Sequence, residues 1–149
     1  MNLKRKLLIK GVIDGTIAGL VLTFFFKMIQ LITDYKVYTL LLNIDYIPLL
    51  KQFKFPEVVE VTFHLIVSIV ITIILATIIH CFQTMSTAKI IGFCVSISFV
   101  IGALYFPTTL LSDRTPPFTS LPSLLYWIIG HVLYGFILGI LLSSRRLTK

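Results

Sequence analysis

Several things that catalytic proteins usually carry are scarce here. The chain has only two cysteines, Cys81 and Cys94, and no C-x-x-C pair, so neither a zinc framework nor a dithiol redox centre can be read from it. Both cysteines are expected towards the cytoplasmic side of a membrane, reduced, acting as small buried hydrophobes. No G-x-S-x-G elbow, H-E-x-x-H pair or glycine-rich phosphate loop occurs, which leaves nucleophilic, zinc-protease and nucleotide chemistry without a signature. Acidic residues number six in 149. Charge of either sign is thin, and long uncharged stretches take its place.

What is present is apolar. Hydrophobic residues make up 57% of the chain and the mean hydropathy is +0.99. One soluble domain of this length has too little interior to hide so much apolar surface, whereas a bilayer can. The net charge of +7 raises nucleic acid as a partner. The basic residues, however, sit beside apolar runs: Lys4, Arg5, Lys6 and Lys10 at one end, Arg145, Arg146 and Lys149 at the other. That placement belongs to membrane topology and anionic lipid, and no nucleic-acid motif interrupts the spans.

The stretch from Glu57 to His80 anchors the reading. Its centre, residues 61–79, carries no formal charge and is long enough to cross a bilayer as a helix. Glu57, Glu60 and His64 follow one helical face at its near end. Four spans are expected, at about 7–32, 58–81, 90–106 and 122–143, in a single integral membrane domain covering residues 1–149. The first begins with basic residues like a signal peptide, but it runs on through Asp14 and Lys27 without a small-residue cleavage site, and reads as an uncleaved signal anchor. Between spans one and two, Val37, Leu40, Leu41 and Ile44 share a face until Pro48 ends the pattern. A short amphipathic segment lying on the membrane, about residues 34–47, is expected there. The fold class is therefore all-α, a four-transmembrane-helix antiparallel bundle.

Counting Lys and Arg orients it. The termini and the 82–89 link carry eight, against four (Lys36, Lys51, Lys54 and Arg114) in the other two loops, which places both termini in the cytoplasm. Five of the six tyrosines, all but Tyr134, then gather with Trp127 near the outer boundary.

Two small-residue ridges stand out: Gly11, Gly15 and Gly19 in span one, and Gly135, Gly139 and Ser143 in span four. Such ridges let helix backbones approach closely. Their similar depth suggests that they pack on each other, with Asp14 at that contact. At 1.5 Å per residue, Glu60 lies about 5 Å inside span two, His64 about 10 Å, Lys27 about 7 Å inside span one, and His131 about 11–13 Å inside span four, all from the outer surface. Asp14 belongs to the inner half. A charge at the centre of a span costs roughly 2.5–3.5 kcal/mol, so these groups should face inward, with Lys27 paired to Glu60 and Glu57 left at the surface. The plain reading of the cluster Lys27, Glu60, His64, His131 and Asp14 is ion pairing and interhelical hydrogen bonding. The sharper one is proton handling, since histidine titrates near neutrality. Glu60, His64 and His131 also make a conceivable metal ligand set, although no metal site is assigned.

The sequence His64-Leu-Ile-Val-Ser68-Ile-Val70, then Phe106-Pro107, Thr115-Pro116-Pro117, Leu121-Pro122 and Gly130-His131, with Gly15-Thr-Ile-Ala-Gly19 in span one, resembles the YagU-like family of small bacterial inner-membrane proteins. The likeness covers most of the chain in order, through short motifs. The first outer loop is more apolar and less elaborate than the family pattern, and the offset between Gly19 and Lys27 differs. The resemblance implies a multi-pass protein of the bacterial cytoplasmic (inner) membrane, singles out His64 and His131, and supplies no substrate.

The expected function is that of a small non-enzymatic multi-pass membrane protein whose outer-half polar cluster stabilises or gates the bundle. The alternatives are a small transporter or proton-conducting protein using Glu60, His64, Lys27 and His131, or a metal-assisted membrane enzyme acting on a lipid-phase substrate. No catalytic residue or cofactor is assigned. The partners are the bilayer and either a second copy or other membrane proteins.

Overall fold

A computed structural model describes residues 3–82 and 85–144; Arg145, Arg146 and Lys149 of the charge count, and two residues of the 82–89 link, lie outside the described residues. Helix α1 runs Leu3–Thr33, α2 Val37–Leu41, α3 Glu57–Cys81, α4 Thr87–Tyr105 and α5 Leu121–Ser144, with a 3₁₀ turn at Phe106–Leu111 after α4. The described residues contain no strand. Four helical stretches, Arg5–Thr33, Glu57–Cys81, Thr87–Leu111 and Leu121–Ser144, are long and apolar enough to cross a membrane, each exceeding the roughly 20 residues that a bilayer core requires. The molecule is a small all-α, four-helix membrane bundle.

Local chemistry sets the helix ends. Asp34 ends α1 with φ of 60°, a left-handed conformation that aspartate tolerates better than most residues. Its N–H closes the last turn on the Gln30 carbonyl at 3.0 Å. Pro56, extended, precedes α3. The Ser86 hydroxyl caps α4 by accepting from the Lys89 N–H at 3.4 Å. Pro107 has no N–H to continue the α-helical ladder, and there the chain tightens into the 3₁₀ turn.

The glycines show which helices meet. A Cβ on Gly11, Gly15 or Gly19 would collide with Ile73, with Ile69 and Thr72, or with Leu65 and Ser68, all on α3. The contacts descend α3 as they climb α1, so the pair is antiparallel. A Cβ on Gly135 or Gly139 would collide with Cys94 and Val95, or with Ile91, all on α4. The two ridges therefore do not pack on each other, contrary to the expectation from their depth: each receives its own partner helix. Small residues permit close approach but do not select the neighbour. Helices α1 and α5 meet instead through Phe26, whose ring fills the space beside Gly130 and stacks on Trp127 at 5.0 Å.

The order around the bundle is thus α3–α1–α5–α4. Helices α3 and α4, joined by the shortest connection between spans, do not pack closely along their length.

The first long connection also departs from expectation. Its helix spans only Val37–Leu41, and Val37 and Leu40 are fully buried, with Leu41, Leu42 and Ile44 nearly so. Its apolar face is turned into the protein. It is tucked into the end of the bundle that carries the long connections, mainly against α1, where its apolar side chains are removed from solvent.

Candidate functional site

At this loop end, two sets of charged side chains close the bundle. In the first, Lys27 Nζ donates to Glu57 Oε1 at 2.7 Å and the Tyr38 hydroxyl donates to the same oxygen at 2.6 Å. The ammonium also lies 5.4 Å from the centre of the Tyr38 ring. Burial, and then the Glu57 bond, push the Tyr38 phenol well above its ordinary pKa. In the second set, Arg114 reaches Glu60 with both arms, Nη1 to Oε1 at 2.9 Å and Nη2 to Oε2 at 3.2 Å. Asp45 stands 3.8 Å from the same guanidinium, and accepts from the Ser112 hydroxyl. The Glu60 bond is the main cause holding the Arg114 pKa above its ordinary value.

This corrects the expected pairing. Lys27 binds Glu57, which sequence depth had left at the surface, and Glu60 takes Arg114 instead. A guanidinium matches both carboxylate oxygens in a way an ammonium cannot. Arg114 was counted for topology only. A lone arginine in the loop before the fourth span, with a carboxylate at the head of the second, is the available signal.

Beneath these ion pairs lies a partly open cavity of about 120 Å³. Segment 41–46 roofs it; Glu60, Phe63, His64, Val67, Ser68 and Ile71 of α3, Ser98, Ile101 and Tyr105 of α4, and Trp127, His131 and Tyr134 of α5 form its walls, with Leu22 from α1. It occupies the space left where α3 and α4 part. The roof is fastened to α4 and the following loop: Tyr105 donates to the Asn43 carbonyl at 2.7 Å, Lys51 to the Leu111 carbonyl at 3.3 Å, and Asp45 is tied to Ser112 and Arg114.

Of the sequence-predicted cluster, Glu60, His64 and His131 share this cavity. Lys27 does not line it. Asp14 is fully buried far away, paired with Lys10 at 3.0 Å; Lys10 also donates to the Leu141 carbonyl of α5 at 3.0 Å, which puts Asp14 at the α1–α5 contact.

The polar groups of the cavity divide into satisfied and unsatisfied. His131 is held by its Nδ1 at 2.9 Å from the Trp127 carbonyl, with its ring 4.4 Å from the Trp127 ring centre. Trp127 Nε1 donates to the Gly102 carbonyl at 2.9 Å. Ser68 Oγ donates to the Gly15 carbonyl at 2.8 Å and, having one proton, accepts from the Tyr134 hydroxyl at 2.9 Å. By contrast, His64 Nε2, Ser98 Oγ and Asn43 Nδ2 are buried without a hydrogen-bond partner among the described residues. Ser98 and Asn43 are each only 1% exposed. Leaving such groups unpaired costs about 1–3 kcal/mol apiece, and three around one cavity mark where something polar belongs.

No family model, curated protein or solved structure matches this chain. The hydrogen-bond run Tyr134–Ser68 ends on the Gly15 carbonyl, which accepts a proton's hydrogen bond but does not pass the proton on. Among the described residues no three His, Cys, Asp or Glu side chains are grouped to hold a metal ion, and both Glu60 oxygens are engaged by Arg114.

Proposed function

We propose that this is a small multi-pass protein of the bacterial cytoplasmic membrane, both termini cytoplasmic, whose outer ion pairs gate a binding cavity in the outer half of the bundle. It is read as non-enzymatic. The observation that carries the proposal is the two-armed Arg114–Glu60 pair at the edge of a cavity with unsatisfied polar walls: it ties α3 to the loop after α4, and Asp45 of the roof stands against the same guanidinium, so opening this end parts charged groups and closing it seals the polar walls from lipid. The likeness to YagU-like proteins supports the membrane setting. The eight-to-four distribution of basic residues supports the orientation, which a reporter fused after Lys149 tests by its activity inside or outside the cell.

Labelling tests the gate. In a chain carrying Cys81→Ser, Cys94→Ala and Ser98→Cys, a membrane-impermeant maleimide added outside reports access to the cavity wall. Slow labelling is expected with the ion pair intact, and about tenfold faster labelling with Arg114→Ala. Equal rates would sink the gate.

A further inference from the structure

Resting on that reading, we propose that the cavity receives the head of one uncharged amphipathic molecule, whose apolar tail leaves through the gap between α3 and α4.

The lining fixes the head's charge. Among the described residues, Glu60 is the only formally charged side chain in the walls, and both its oxygens are taken by Arg114. A cation finds no free carboxylate, while an anion meets Glu60 and no unengaged positive partner. The unsatisfied atoms fix its hydrogen bonding. Asn43 Oδ1 already accepts from the Asp45 N–H at 3.3 Å, so its free Nδ2 is a donor and requires an acceptor oxygen on the ligand. Ser98 Oγ can serve as donor or acceptor, while His64 is hydrogen-bonded to the Gly19 backbone, which leaves its unpartnered Nε2 as an acceptor. A hydroxyl, or a carbonyl beside a hydroxyl, meets that demand.

Size and surroundings fix the rest. About 120 Å³ is less than the roughly 150 Å³ of an apolar cavity that takes up benzene. A whole lipid cannot enter, but a head with its first few carbons can. Phe63, Val67, Ile71 and Ile101 supply an apolar path; Val67 is 52% exposed on the helix that does not close against α4. A tail leaving there stays in lipid throughout. Water alone would satisfy the polar atoms but would give no reason for an apolar path leading to the bilayer.

Trp127, the chain's one tryptophan, lines this cavity and reports on occupancy without a label. The purified full chain in detergent micelles is titrated with three probes of equal length: a fatty alcohol brominated next to its head carbon, the matching fatty acid, and a bromoalkane. Bromine quenches tryptophan on contact. Saturable quenching by the alcohol is expected, with at least fivefold weaker binding of the fatty acid above pH 8 and only unsaturable, linear quenching by the alkane. Ser98→Ala removes a hydroxyl that has no protein partner, so the fold is retained, and a three- to tenfold loss of alcohol affinity is expected. Equal affinity for acid and alcohol, saturable binding of the alkane, or no change in Ser98→Ala would each overturn the inference. If no probe saturates while Ser98→Cys labelling still responds to Arg114→Ala, the ligand class is wrong and the gate stands. If labelling does not respond, the gate itself has failed, whatever the quenching shows.

Discussion

The residue that decides most at this site is Arg114. Its two bonds to Glu60 hold a side chain that is 6% exposed, whereas Lys27 and Glu57 are 47% and 55% exposed. Exposed pairs contribute about 0–1 kcal/mol. Removing one partner from a fully buried pair costs about 3–5 kcal/mol, a figure that must be reduced here because Arg114 itself is 45% exposed. Arg114→Ala is therefore expected to cost about 1–3 kcal/mol and Lys27→Ala less than about 1 kcal/mol, read as the order of their thermal midpoints followed by Trp127 fluorescence. Tyr38 supplies a pH signature. Its pKa is raised in the folded protein above the ordinary 10.0, so folding favours the protonated phenol. That stability is fully present below pH 10 and is lost as pH rises past it. Tyr38→Phe should flatten this part of the alkaline decline in stability while leaving the curve near pH 7 with the same slope. An unchanged alkaline slope would show that Tyr38 is not buried against Glu57.

At the scale of elements, glycine position separates structural contacts from open space. Gly15 and Gly135 have neighbouring backbone within 2.8 and 2.7 Å of a built Cβ, while Gly92 of α4 has nothing within 4 Å. Gly15→Ala and Gly135→Ala should each lose about 1–3 kcal/mol through overpacking. Gly92→Ala should be neutral or gain about 0.5–1 kcal/mol from reduced backbone freedom. Denaturation in mixed micelles compares the three, and equal losses at all positions would contradict the pairing of α1 with α3 and α4 with α5. The same elements show what sequence could reveal. Spans and glycine ridges were legible because length, hydropathy and spacing are local properties. Which ridge faces which helix was not, since a small-residue surface accepts any partner. The 37–41 segment has an amphipathic pattern that suits either lipid or a bundle end, and only the surrounding helices decide. His64 and His131 could be placed in one layer by counting residues, but Asn43, Ser98 and Arg114 could not. Two are ordinary polar residues and the third sits in a loop, and tertiary contacts alone bring them to the cavity.

For the whole molecule, the arrangement α3–α1–α5–α4 leaves one seam of the bundle loosely closed, and the polar cavity sits at that seam under a roof fastened by ion pairs. A bundle built only for stability would fill the seam and satisfy Ser98 and Asn43. The proposed gate rests on these three features together, an unfilled seam, a charged fastening and a tucked loop, acting as a two-position device. Such a device needs only a modest free-energy difference, about 1.4 kcal/mol for each tenfold change in population. The most direct test is a double-mutant cycle on labelling of Ser98→Cys by external maleimide, with Arg114→Ala, Glu60→Ala and both together. If the Arg114–Glu60 pair holds this end of the seam shut, each single change should raise the rate about tenfold and the double change should add little more, because the second removes an interaction already lost. Multiplying effects, near a hundredfold in the double variant, or no effect in either single variant, would contradict the gate.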